Sequence, residues 1–214
     1  MACLSEMLRE GTKHSHSLAR NVGLIKALLK GVVDKHTYGV LASNLHHVYS
    51  ALEEELEHRK NDAVISKIHF PELYRTGKLE HDMIYHFGSS WRSRLPAASA
   101  ATRAYVQRIR EVASLSPELL VAHAYTRYLG DLSGGQIVRK ILRQVMRLPE
   151  GRGTEFFEFD AIPDVAAFKS IYRERLDQLP LNRSGANRMV REANLAFAMN
   201  IQLLRETEKR RAAG

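Results

Sequence analysis

The sequence predicts an all-α fold, because apolar residues recur at helical spacing along most of the chain and helix-start residues precede several of these stretches. Offsets of three and four gather side chains on one face at about 100° per residue. Asp34, Ser116 and Asp164 are candidate N-caps, and Pro117 suits a first helical position. In these stretches, the residues that favour a helix start therefore stand where the apolar periodicity begins.

Five long helical stretches are expected at residues 4–22, 34–56, 116–147, 164–179 and 189–204, with shorter helices around 78–87 and 99–114. Phe156, Phe157 and Phe159 alternate as in a strand. A single strand would have no partner, so this segment is interpreted as a connecting loop. No repeat, linker or shift in composition divides the chain, which predicts one helical domain over residues 1–214 with its core at about 4–206.

Composition narrows the class of protein. With 214 residues, 44% apolar and 26% charged, the chain differs from disordered, collagen-like and coiled-coil sequences. Cys3 is the only cysteine, which excludes an internal disulfide and a site with several thiolates. The net charge of +8 favours anionic partners. No secretory signal or membrane-spanning stretch is recognisable, so a soluble, cytoplasmic protein is expected.

Gly130, Gly134 and Gly135 interrupt an otherwise strong helical pattern. Three glycines inside a helix lower its stability by about 3 kcal/mol relative to alanine, so another interaction must compensate for them. These glycines allow close packing of helices or a turn between two helices. When only the glycines are considered, close packing of helices is the favoured explanation. The alternative is a flat ligand lying against bare backbone at a kink.

Charged residues accompany these glycines. Arg127 and Asp131 are four apart on one helix face, and Asp131 directly follows Gly130. A carboxylate there could hold water beside a ligand. An ordinary surface ion pair, worth about 0–1 kcal/mol, is the simpler alternative.

A second group lies on the first helical stretch. With Leu4 at 0°, Arg9, Thr12 and His16 fall at about 140°, 80° and 120°, beside the apolar face. Arg9 and His16 are separated by about 10.5 Å of helix rise, roughly the span from a haem iron to its propionates. A structural histidine at the core boundary is the alternative. His14 and His16 diverge around the helix and cannot readily chelate one ion.

Two further residue patterns are unusual for a helix. Lys169 and Arg173 are four apart and repel unless an anion lies between them, although a solvated face is the usual explanation of such a pair. Asn200 lies on the apolar face of the last helix, where a buried amide needs hydrogen-bond partners.

Several of these residues belong to longer motifs. The run ELLVAHAYTRYLGDLSGGQ at 118–136 closely resembles the signature helix of haem oxygenases. Further matches are REGTKHSH at 9–16, HHVYSALEEE at 46–55, FKSIYRERL at 168–176 and NLAFAMNIQLL at 194–204. In order and spacing the resemblance spans roughly Leu4 to Glu206, nearly the whole chain.

The resemblance implies a helical domain with haem between a proximal helix and a kinked, glycine-rich distal helix. It makes His16 the iron ligand and places Gly130 and Gly134 on the distal side. It also implies that Asp131, with Tyr49 and Arg127, orders the distal water. The remaining implied haem-binding residues are Arg9, Thr12, Tyr125, Lys169 and Arg173 near the propionates, and Phe197 and Asn200 along the pocket.

The resemblance also implies an activity, the oxidative cleavage of haem to biliverdin, carbon monoxide and ferrous iron. Haem b would be substrate and cofactor, with O2 and reducing equivalents as co-substrates. The alternative is a haem carrier or sensor without chemistry. A nucleic-acid-binding bundle, suggested by Arg139, Lys140, Arg143 and Arg147, is the remote third interpretation. No nucleic acid or membrane partner is therefore expected, and the protein is expected to be a monomer.

The REGTK segment resembles the forms from photosynthetic organisms, which take electrons from ferredoxin. The expected donor is therefore a ferredoxin or a reductase, and a plastid location is open if the source is an alga or plant. One position departs from the family pattern. Arg20 stands four residues after His16, where many relatives carry a glutamate that helps to orient the imidazole.

Overall fold

The computed structural model describes residues 3–212, and this part of the chain contains α-helices and 3₁₀ turns but no strand. The predicted all-α fold is thereby confirmed. Residues 1–2 and 213–214 of the predicted domain lie outside the described residues. The helices are α1 Leu4–Gly11, α2 Lys13–Arg20, α3 Gly23–Leu29, α4 Lys35–His58, α5 Ile65–Ile68, α6 Thr76–Phe87, α7 Trp91–Arg94, α8 Ala100–Leu115, α9 Leu120–Val145, α10 Val165–Asp177 and α11 Arg183–Ala212. The 3₁₀ turns are Pro71–Leu73, Pro117–Leu119 and Glu155–Phe157.

Two of the three predicted N-caps are confirmed. The Asp34 carboxylate accepts the amide hydrogen of Thr37 at 2.7 Å, and Asp164 accepts those of Ala166 and Ala167 at 2.9 Å each. Ser116 lies at the predicted N-cap position, directly before Pro117, but its side chain makes no capping bond. The chain instead enters α9 through the 3₁₀ turn that Pro117 begins.

The first helical stretch was predicted as one helix, but the structure divides it at Thr12. The backbone of Thr12 has φ −107° and ψ 1°, and its buried hydroxyl donates to the carbonyl of Leu8 at 2.7 Å. The amide of His16 still donates to the carbonyl of Thr12 at 2.9 Å. The two short helices therefore follow one another directly, and His16 remains one turn from Thr12.

The long helices α4, α8, α9 and α11 surround the core. Tyr49 of α4, Tyr105 of α8 and Tyr128 of α9 are among its largest fully buried side chains. The predicted loop at 156–159 is confirmed as a connection, of which residues 155–157 form a 3₁₀ turn. It packs Phe156 edge-on against Tyr49, with ring centroids 5.7 Å apart. This loop therefore supports the inner side of α4.

A buried carboxylate joins three of these helices. Glu192 of α11 accepts two hydrogen bonds from Arg108 of α8, at 2.9 and 2.6 Å. It also lies 3.0 Å from Nε2 of His123 on α9. Burial raises the pKa of Glu192, but the bonds from His123 and Arg108 outweigh burial and lower the pKa to about 2.

The Glu192 carboxylate should make folding stability acid-sensitive. Because its pKa is lower in the folded protein than in the unfolded chain, the unfolded chain binds more protons below about pH 4.5. We expect the free energy of unfolding to fall by about 2–3 kcal/mol as the pH drops towards 2. Urea denaturation should show this loss in the parent and in the exposed control Glu54→Gln, but not in Glu192→Gln. Equal acid sensitivity in both variants would contradict the assignment.

Within residues 3–212, no helix has both the length and the apolar content required to cross a membrane.

Candidate functional site

One side of the candidate site is formed by α2 and α11. The imidazole of His16 is exposed, and within the described part of the chain its ring nitrogens make no hydrogen bond or ion pair. Its ring lies edge-on to Phe197 of α11, with centroids 6.0 Å apart. Phe197 is itself buried. An exposed ring nitrogen without a protein partner is available to bind a metal ion.

The other side is formed by the glycines of α9. A Cβ atom built on Gly130 or Gly134 would meet no atom within 4 Å, so both residues face open space. A Cβ on Gly135 would lie 3.0 Å from the Phe157 ring. Gly135 therefore serves helix packing, as one interpretation predicts. Gly130 and Gly134 leave backbone bare, and a flat ligand against that backbone stays a prediction. Helix α9 is unbroken from Leu120 to Val145, and the kink stays a prediction.

A polar network lies beside these bare glycines. The Tyr49 hydroxyl donates to Asp131, and Arg127 donates from Nε to the Tyr49 oxygen at 3.1 Å. Nη1 of Arg127 donates to the Asn200 side-chain oxygen, and Nη2 lies 3.7 Å from Asp131. Three helices thus supply one network. The expected pairing of Arg127 with Asp131 is present, and Asn200 has the partner that its amide needs.

Burial governs the charges of this network. It raises the pKa of Asp131, while Arg127, the Tyr49 hydroxyl and Arg75 oppose that rise. Burial also raises the pKa of Tyr49. For Arg127, burial favours the neutral form, but the facing Tyr49 and Asp131 raise its pKa above the ordinary value. The network thus holds a cation next to a carboxylate whose pKa burial raises.

A basic group lies at one end of the site. Thr12, Arg173 and Arg9 are the polar and charged neighbours of the Tyr125 hydroxyl. Burial raises the Tyr125 pKa, and these three neighbours oppose the rise. Lys169, four residues before Arg173 on α10, places Nζ 3.5 Å from the Ser133 hydroxyl of α9. The exposed guanidinium of Arg9 also contacts Glu10 at 2.9 Å.

Sequence reasoning missed the support beneath the network. The Arg75 guanidinium is buried and donates to the carbonyls of Leu73 and Phe156, while its amide donates to the buried carboxylate of Glu53. These bonds fix the segment that packs Phe156 onto Tyr49. Glu53 belongs to an acidic run that resembles a solvated face, so nothing in the local pattern indicated its burial.

The family model described as Heme oxygenase matches residues 2–206. Heme oxygenase 1 of the cyanobacterium Synechocystis is 53% identical over 205 residues, which cover 96% of this chain and 85% of the relative.

Solved structures give the same result. The crystal structure of the Synechocystis heme oxygenase-1 in complex with heme superposes with a TM-score of 0.92 at 52% identity, covering 98% of this chain and 94% of that chain. Heme oxygenase from Leptospira interrogans gives 0.91 at 42% identity, with 96% and 100% covered. Nothing in these matches supports a haem carrier or sensor without chemistry. The chain therefore belongs to the haem oxygenase family, and it is an enzyme that degrades haem.

Proposed function

We propose that this chain binds haem b between α2 and α9 and cleaves it to biliverdin, carbon monoxide and ferrous iron. The observation that carries the proposal is an exposed, unpartnered imidazole on one side and two bare helical glycines with a buried carboxylate on the other. Helix α11 connects the two sides, since Phe197 contacts the His16 ring and Asn200 bonds Arg127. The relative from Synechocystis was solved with heme bound.

The residues present fit a flat, anionic macrocycle. Open space at Gly130 and Gly134 admits a planar ring against the backbone, which a side chain at either position would fill. The basic group of Arg9, Lys169 and Arg173 suits two carboxylates. When bound, haem supplies the iron that activates O2 and is also the substrate that is opened.

The protein contributes positions and protons. His16 would hold the haem iron through a ring nitrogen, and the iron would supply the chemistry that activates O2. Asp131, held by Tyr49 and close to Arg127, orients a water molecule that donates a hydrogen bond and moves a proton. Arg20 is exposed and makes no bond to His16 within the described residues, so it does not replace the glutamate that orients the imidazole in many relatives.

Turnover tests this function directly. The purified protein is mixed with haem, air and a reduced ferredoxin or a reductase, and the absorption spectrum is followed while products are separated by chromatography. Loss of the haem Soret band together with biliverdin and carbon monoxide is the expected result. A haem spectrum that returns unchanged after repeated redox cycles would overturn the proposal in favour of a carrier.

The basic end of the site selects which edge of haem is attacked. We propose that Lys169 and Arg173, with Arg9, Thr12 and Tyr125, hold the propionates. Lys169→Ala combined with Arg173→Ala should change the ratio of biliverdin isomers, because a less constrained haem can rotate, whereas the rate of ring opening should change less than about tenfold. Chromatography of the isomers measures the ratio. Arg175→Ala, at an exposed position of the same helix, is the control, and an unchanged ratio in the double variant would contradict the assignment.

The electron donor is proposed to be an acidic protein of the ferredoxin type. Arg139, Lys140 and Arg143 border a groove of about 470 Å³ along the second half of α9. Arg139 is partly neutralised by Glu158 at 2.6 Å, while Lys140 is exposed. Opposite charge on a partner would speed the encounter at this surface. We further propose a monomer that works in the cytoplasm, or in a plastid if the source is an alga or plant.

A further inference from the structure

A groove of about 720 Å³ lies between α4 and α8, outside the candidate site. One wall is the exposed His47 of α4, and the other is a single face of α8 that includes Arg103, Val106 and Arg110. Its volume falls within the range of about 300–1,000 Å³ that small-molecule sites occupy. The residues that line it include none of those assigned to the haem site. The function proposed above therefore makes no use of this groove.

Positive charge is concentrated on the α8 wall. Arg103 and Arg110 are seven residues apart, which places them on one stripe about 10.5 Å apart along the helix axis. Nη1 of Arg103 donates to the backbone carbonyl of Ala98 at 2.6 Å, and Arg110 makes no hydrogen bond or ion pair within residues 3–212. Neither guanidinium has a carboxylate partner in that part of the chain. Both are therefore available to bind acidic groups of a ligand.

The rest of the α8 wall does not cancel this charge. Glu111 also lines the groove, but Nη1 of Arg108 lies 3.6 Å from its carboxylate and partly offsets it. Val106 lies between Arg103 and Arg110 along the helix and is half-buried, so apolar surface separates the two positive charges. This face thus suits a ligand that carries two acidic groups on an apolar body.

The opposite wall supplies an imidazole. His47 is exposed, and in the described part of the chain its ring nitrogens make no hydrogen bond or ion pair. Its ring packs edge-on against His46, with centroids 6.1 Å apart, and His46 in turn lies 5.4 Å from the ring of the buried Trp91. These ring contacts hold His47 at the groove without occupying its nitrogens. A neutral imidazole nitrogen is a common ligand of haem iron.

We propose that this groove is an accessory haem site, in which His47 binds the iron and Arg103 and Arg110 bind the two propionates. Val106 would pack against the porphyrin. The choice of ligand rests on the proposed function, because haem is the anionic macrocycle that the enzyme consumes. The site would hold a second haem at the surface of the protein.

The accessory site should be weaker than the pocket between α2 and α9. The groove is open to solvent, where water and salt screen its exposed arginines. The first equivalent of haem should therefore enter the pocket, in the parent and in His16→Ala, and only further haem should enter the groove. Titration of the ligand-free protein with ferric haem, followed by absorption, should show two steps.

His47→Ala should weaken the second step by about tenfold or more and leave the first step unchanged, because it removes the iron ligand. His36→Ala, which alters another exposed histidine of α4, should change neither step. Metal-free protoporphyrin provides a readout that a structural role of His47 would move. Its affinity for the groove should be the same in His47→Ala and in the parent, and a loss in His47→Ala would overturn the role of His47 as iron ligand.

The two arginines are tested together. Arg103→Ala combined with Arg110→Ala should weaken the second step by about three- to tenfold, for haem and for metal-free protoporphyrin alike. Lys67→Ala combined with Arg175→Ala removes the same charge at exposed positions of α5 and α10 and should have no effect. All four side chains are exposed, so the variants should fold like the parent. An equal loss in both double variants would reveal only general attraction to a basic protein and would overturn the site.

The titration and the turnover experiment separate the two proposals. A single binding step in the parent, or a second step that His47→Ala leaves unchanged, would overturn the accessory site even when turnover yields biliverdin. A second step that depends on His47, in a protein that does not cleave haem, would leave the accessory site standing while the proposed function fails.

Discussion

Asp131→Asn is expected to lower biliverdin yield in a single turnover by about 100-fold, while haem affinity stays within about threefold of the parent value. Asparagine keeps the size of the side chain and an acceptor for the Tyr49 hydroxyl. It removes the charge that lies 3.7 Å from Arg127 and the ability to exchange a proton. Haem should still bind, because the iron ligand and the basic group are untouched.

A matched control separates this effect from a general loss of charge. Asp160→Asn removes an exposed carboxylate that bonds Lys78 at 2.7 Å, away from the network, and should leave the yield unchanged. In Asp131→Ala, the reaction should also divert towards peroxidase-like oxidation of added phenols. Stopped-flow absorption and product chromatography measure both branches. Parent-like biliverdin yield in Asp131→Ala would refute the role assigned to this carboxylate.

Gly134→Leu is expected to weaken haem binding by about 100-fold or more, without unfolding the protein. A Cβ atom built at position 134 meets no atom within 4 Å, so the leucine side chain would enter the space proposed for haem. Leucine also has a higher helix propensity than glycine. The ligand-free variant should therefore gain up to about 1 kcal/mol of unfolding free energy.

Two other helical glycines provide the controls. Gly77→Ala also adds a Cβ in open space, so haem affinity should not change. Gly135→Ala places a Cβ 3.0 Å from the Phe157 ring, and should fail to stabilise the helix. Haem titration and urea denaturation measure the two properties on each variant. Parent-like haem affinity in Gly134→Leu would place the ligand elsewhere.

Helix positions could be predicted from the sequence because apolar periodicity and N-cap chemistry are local. The break at Thr12 could not, since it depends on a side-chain bond to the Leu8 carbonyl that many threonines in helices also make. Leu18 and Ile171 belong to apolar stripes of the sequence, yet they are 50% and 46% exposed. Periodicity assigns a face to a residue but does not determine what packs against it.

The candidate site was predictable where its signal is confined to one helix. The glycines and the four-residue spacing of Arg127 and Asp131 can be recognised in the sequence of α9. The resemblance to the family motif then suggested a role for each of them. Spacing could not show that Tyr49 and Asn200 meet Arg127, because they come from α4 and α11. The burial of Glu53 and Arg75 was also invisible, because each depends on the loop that carries Phe156.

His16 is proposed to bind haem iron opposite the bare backbone at Gly130 and Gly134. Resonance Raman spectroscopy of the reduced, haem-loaded protein tests it through the vibration of the iron–imidazole bond. We expect this band in the parent and in the control His14→Ala, which alters an exposed histidine on the same helix. It should be absent from His16→Ala and should return when free imidazole is added. An unchanged band in His16→Ala would contradict the account.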